Sequence, residues 1–111
     1  MSYLPPPPGW LPSIPRAHYL HLSFHFYGPV SQQLVDKIAE AINSADDWLR
    51  YSNNCWILWT SHSPEDWYNR LILIPELKPH SIFIVRVDIS PQNRSGQFPR
   101  WIWDWINKSR F

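Results

Sequence analysis

The sequence predicts an α+β sandwich, a small antiparallel sheet with its helices on one face. Three observations carry that expectation. Leu20, Leu22, Phe24 and Phe26 alternate with Tyr19, His21, Ser23, His25 and Tyr27, the period of a strand with one oily face and one polar face. Stretches at helical spacing separate this strand-like run from the two that follow it. Eight tryptophans in 111 residues supply the apolar volume that a small domain needs for a core.

The elements follow in order. Residues 1–16 hold four consecutive prolines, Pro5 to Pro8, with Pro12 and Pro15 beyond them. Such a run is extended polyproline II without internal hydrogen bonds. It reads as a stiff leader packed loosely on the domain or, because Tyr3, Leu4, Trp10, Leu11 and Ile14 give it apolar side chains to bury, as an arm that docks on a partner subunit. Residues 17–111 then form one domain.

The first strand ends at Gly28 and Pro29, a turn signal. Ser31 caps a helix whose Leu34, Val35, Ile38, Ala39 and Ile42 recur at helical spacing. That helix is expected to end near residue 43 or 44, with a further turn over Asp46, Asp47 and Trp48 and a loop at Ser52, Asn53 and Asn54. Residues 55–61 (CWILWTS) are aromatic and β-branched, a second strand buried on both faces. Ser63, Pro64 and Asp66 make a helix start close to a capping box. Trp67, Leu71 and Ile74 form that helix's inner face, and Pro75 stops it.

Residues 81–89 (SIFIVRVDI) make a third strand. Phe83, Val85, Val87 and Ile89 lie on one side of it, and Ile82, Ile84, Arg86 and Asp88 on the other. A polar stretch leads to Pro99 and a C-terminal helix, with Trp101, Ile102, Trp105 and Ile106 inward and Trp103 outward. The β-α-β-α-β order suits a ferredoxin-like sheet of strand order 4-1-3-2. Its fourth strand is not visible; residues 97–98 are too short, and the terminal helix is expected to take its place.

Composition narrows the function. The net charge is +1 and the arginines are scattered, which argues against tight electrostatic binding of nucleic acid. The one cysteine, Cys55, excludes an internal disulfide and fits a reducing compartment. No secretory leader and no membrane-length apolar run is present, so a cytoplasmic protein with no membrane partner is expected.

Chemistry must come from the polar side of the first strand. His21 and His25 stand about 13 Å apart along a strand, too far to share a metal, and His18, His62 and His80 show no ligand spacing. Neither a metal nor a cofactor is expected. Ser23, His25 and Asp88 have the residue types of a hydrolytic triad, but no nucleophile turn surrounds Ser23. Tyr19, His21, Ser23, His25 and Tyr27, with Arg86 on the third strand, are the expected surface for a partner or for nucleic acid. Aromatics on a sheet can stack bases, yet more often they bury at protein interfaces.

Three stretches, LSFHFYGP (from Leu22), NCWILWTS (from Asn54) and IFIVRVD (from Ile82), resemble the small CRISPR adaptation subunit and its stand-alone SinR-like relatives. The likeness covers residues 19–88. It implies a homodimer, a ferredoxin-like fold and a prokaryotic defence, toxin–antitoxin or mobile-element setting. It also implies, in some members, metal-dependent cleavage of RNA or DNA by an aspartate ending the first strand. His25 holds that position here, which removes the oxygen ligand a hard cation prefers, and Asp88 is the remaining strand-borne carboxylate. The expected function is therefore a non-catalytic homodimeric binding or assembly module. A metal-dependent nuclease with His25 and Asp88 as its candidate residues is the alternative, and a sheet-surface RNA binder the second.

Deleting residues 1–16 should weaken dimerisation without changing the circular dichroism of the domain. Equal dimer affinity in the truncated chain would make the segment a loose tail.

Overall fold

A computed structural model of the chain describes residues 16–110. The apolar arm residues Tyr3, Leu4, Trp10, Leu11 and Ile14 lie outside them. The described chain is α+β: one four-stranded antiparallel sheet and three α-helices. Strand β1 (His18–His25) is followed by α1 (Gln32–Ile42), β2 (Asp47–Ser52), β3 (Cys55–Thr60), α2 (Pro64–Leu71), β4 (Ser81–Val87) and α3 (Arg100–Ile106). The strands lie in the order β2-β3-β1-β4.

Alternation builds the first core. Leu20, Leu22 and Phe24 of β1 point to one face with Trp56 and Leu58 of β3, under Leu34, Ile38 and Ile42 of α1 and Trp67 and Leu71 of α2. The three α1 residues recur every fourth position, one buried stripe on an amphipathic helix. Local chemistry sets the helix starts. The Ser31 hydroxyl accepts from the Leu34 N–H at 3.1 Å. Ser63 and Asp66 exchange both bonds of a capping box, with Pro64 at the first helical position. The turn after β1 needs positive φ at residue 28, +88°, which glycine adopts without strain.

Three sequence expectations are corrected. The stretch from residue 46 is not a helical turn: Asp47–Ser52 is a strand, and it supplies the fourth member of the sheet. Residues 53–54 are the tight turn of the β2–β3 hairpin. Two-residue hairpins favour turns with positive φ, but no residue other than glycine has positive φ among those described. The register slips between Arg50 and Ser52 instead, a bulge that absorbs the mismatch in twist. The terminal helix α3 therefore replaces no strand. It lies on the other face of the sheet, where Ile102 and Ile106 pack on Leu49 and Ile57. Its outward residue is also different: Trp101 is 56% exposed, whereas Trp103 is partly buried against Phe98 and beneath the Arg94 guanidinium.

β3 is buried on both faces, as its composition suggests. Trp56, Leu58 and Thr60 point toward α1 and α2, while Ile57 and Trp59 point toward α3. Thr60 is fully buried, and its hydroxyl accepts from the Trp67 indole N–H and from the His62 backbone N–H, both at 3.1 Å.

Thr60→Val keeps the shape but strands two donors, one of them the buried indole. An unsatisfied buried donor costs about 1–3 kcal/mol, so the urea midpoint should fall accordingly. An unchanged midpoint would show that the bond contributes nothing.

Candidate functional site

The face of the sheet away from α1 and α2 is divided. α3 and its flanking segments cover the β2–β3 half, and among the described residues the β1–β4 half is open. Register decides which side chains stand there. His21 is flanked by Ile57 and Val85, Ser23 by Cys55 and Phe83, and His25 pairs with Ser81. Opposed residues share a face, so the open half presents His21, Ser23, His25, Phe83 and Val85. Tyr27 joins them from just beyond β1. Its N–H donates to His80 Nδ1 at 3.0 Å, its hydroxyl lies 3.3 Å from that of Ser81, and its ring packs on His25 at 4.5 Å.

Apolar side chains stand exposed among the polar ones on this surface. Phe83 is 63% exposed, Tyr27 60% and Val85 37%. No lysine or arginine stands among the strand residues facing it. Phe83 and Val85 were not among the surface residues expected from sequence. They lie in SIFIVRV, which is apolar on both sides, so no alternation marks which side faces water.

Two expected members are elsewhere. Arg86 pairs with Leu20 and so belongs to the helix-covered face. Tyr19 is on the correct face but under α3, with the rings of Trp59 at 4.6 Å and Trp105 at 6.2 Å and the Arg110 guanidinium at 5.6 Å. Tyr19, Arg86 and Asp88 come together instead at the far end of the sheet, around a cleft of about 640 Å3 also lined by His18, Trp59 and Val87.

The register also separates the residue types of a triad. β1 and β4 are neighbours, but His25 pairs with Ser81, whereas Asp88 follows Val87, the partner of Tyr19. His25 and Asp88 are therefore roughly 20 Å apart along the strands. Asp88 is engaged locally, accepting from the Ser90 hydroxyl, the Ser90 N–H at 2.9 Å and Asn93 at 3.0 Å. The Ser90 hydroxyl above all, with these other donors, holds its carboxyl below the ordinary range. Among the described residues no three His, Cys, Asp or Glu side chains gather as a metal site, and no helix is long and apolar enough to cross a membrane.

His21 marks the border between the covered and open halves. Tyr51 sits at the register slip of β2, and its hydroxyl reaches over β3 to His21 Nε2. Burial pushes the Tyr51 hydroxyl up to about 12, helped by Cys55, so it stays protonated and donates. Burial lowers the His21 pKa, and the neutral ring accepts. The basic nitrogen of His21 is thus occupied within the fold.

That arrangement sets a pH dependence. The unfolded imidazole titrates near its ordinary value of about 6.5, and the folded one lower. Stability is complete above about 6.5 and drains as pH falls through that value toward the folded one, because the unfolded chain takes up the proton first. Between pH 7.5 and 5.5 the native urea midpoint should fall more than that of His21→Gln, which retains an acceptor. Equal falls would remove His21 as the cause.

No family model, no curated protein and no solved structure matches the chain.

Proposed function

We propose that this protein is a non-catalytic, homodimeric binding and assembly module built on a ferredoxin-like sandwich. The observation that carries this reading is the open half-face, where Phe83, Val85 and Tyr27 are exposed together and the strand residues of that face include no lysine or arginine. A phosphate backbone needs lysine or arginine, and an aromatic and aliphatic surface with modest polarity suits a protein interface. The fold reading is supported by the element order β-α-β-β-α-β and by the sheet order, which counted from the β4 edge runs 4-1-3-2 with every pair antiparallel. The resemblance to the small CRISPR adaptation subunit and its SinR-like relatives is part of the same proposal. From it come the homodimer and the prokaryotic defence, toxin–antitoxin or mobile-element setting.

The nuclease reading loses its geometry here. A carboxylate placed at residue 25 would stand at the opposite end of the strands from Asp88, and two-metal or single-metal cleavage needs its ligands within one coordination sphere.

Light scattering at micromolar concentration should give twice the chain mass of 13.3 kDa. The same sample should leave labelled single-stranded RNA and duplex DNA intact with Mg²⁺ or Mn²⁺. EDTA-sensitive cutting that disappears in Asp88→Ala would replace the assembly reading with the nuclease.

A further inference from the structure

The sheet has two edges, and they are built differently. β2 is blunted: its register slips at Arg50–Ser52, it carries Asp47 and Arg50, and the C-terminal segment is tied to it through Arg110 and Asp47 at 2.9 Å. β4 has none of these devices. Its pairing with β1 is unbroken from Ser81 to Val87; it contains neither proline nor glycine, and Arg86 is its one charge. Among the described residues no strand pairs with it on the outer side. A regular, apolar edge leaves a row of unpaired N–H and C=O groups, the template for another strand.

Exposed apolar side chains collect on both faces of this edge. Phe83 and Val85 stand on the open face. On the helix face, Tyr68 of α2 and Ile72, its C-cap, are exposed and line a groove with Leu77 and Ile82. A ligand resting on one face would cover one of these sets. A strand added to the edge, carrying its own helix, covers both.

We propose that β4 pairs antiparallel with β4 of a second copy of this chain, about a two-fold axis at Ile84, to form a continuous eight-stranded sheet. This rests on the homodimer reading above and names its interface. The strand is self-complementary in that register. Phe83 falls opposite Val85 of the second copy, Ile82 opposite Arg86 and Ser81 opposite Val87; cross-strand apolar pairs stabilise a sheet, and like charges directly opposed destabilise it. A pairing centred on Arg86 would oppose two guanidinium groups, whereas this one separates them. Beyond the strand ends, His80 falls opposite Asp88. Its Nδ1 accepts from the Tyr27 N–H, so the proton of the neutral ring is on Nε2, a donor suited to a carboxylate. The two open half-faces then join into one platform, with Phe83 and Val85 of both copies along its middle.

The test is disulfide trapping of the full chain in a Cys55→Ser background. Ile84→Cys places one thiol on the two-fold axis, and Ser52→Cys on the β2 edge is the control. Under mild oxidation most of the Ile84→Cys chain should run at twice 13.3 kDa, and the control should not. Ile84 shares the helix-covered face with Leu22, so dimers packed through the open faces would not trap it. A dimer in light scattering with no covalent product overturns the edge pairing and leaves the homodimer reading standing. A monomer at every concentration overturns both. Should Ile84→Cys fail to fold, hydrogen exchange on the native chain gives the same decision. The β4 amides that do not face β1 should exchange slowly in the dimer and quickly on dilution, and fast exchange at both concentrations overturns the proposal.

Discussion

The arrangement of this protein turns on how much of a sheet one helix can cover. A helix with side chains is about 10 Å across and strands lie about 4.8 Å apart, so one helix covers about two strands. A four-stranded sheet therefore needs two helices on each face. α1 and α2 meet that need on one side. On the other side, among the described residues, there is only α3, seven residues long. Half of that face is uncovered by this geometry alone, whatever the details of packing.

Apolar packing and Arg110 together hold α3 on its half. A helix of seven residues has little stability of its own, and no side chain caps the start of α3. Its position is fixed by Ile102 and Ile106 against Leu49 and Ile57 and by the C-terminal guanidinium. The Arg110 side chain is 4% exposed. It donates to Asp47 at 2.9 Å, to the Tyr19 hydroxyl at 3.2 Å and to the carbonyls of Trp105 and Lys108 at 3.0 Å, and it lies 4.1 Å from the centre of the Trp105 ring. Burial opposes ionisation of Asp47, but the Arg110 guanidinium and the Trp48 backbone N–H that donate to it hold the carboxyl below its ordinary range. A buried ion pair contributes little net stability and more to the choice of one arrangement over others. Here it ties the chain end to β1 and β2, and so directs α3 away from β4.

Much of this fold is legible in the residues. The strict alternation in β1, the stripe of α1, the capping box of α2 and the dense aromatic run of β3 each follow from local chemistry. β2 was not legible, for a physical reason. DWLRYS has apolar residues on both of its faces, Trp48 toward α1 and α2 and Leu49 and Tyr51 toward α3, and the Asp46–Asp47 pair at its start imitates a helix start. The candidate surface divides in the same way. His21, Ser23, His25 and Tyr27 share a face because they are two apart on one strand. Arg86 is expected on that surface but falls on the opposite face, because parity between strands depends on register, and register comes from pairing rather than from either strand alone. Tyr19 was misjudged because its cover, the α3 helix, arrives from the far end of the chain.

The uncovered half-face and the unblunted edge belong to the same strand, and that coincidence carries the functional argument further than either alone. A sheet exposed only on its face could hold a small ligand, and a sheet exposed only at its edge could be kept apart by charge. β4 has Phe83 and Val85 on its open face, Ile82 beside the exposed Tyr68 and Ile72 on the other, and one charge, Arg86, in seven residues. Apolar surface of this kind gains free energy when water is removed from it, about 25 cal/mol for each Å2 buried. A strand laid along β4 satisfies the unpaired backbone groups at the same time. Polar groups that end unpaired lower the net gain of an association, and here the backbone pairing and the apolar burial are obtained in one contact. In the proposed pairing, the residues left uncovered on the face and edge of β4 are the ones a second copy would cover.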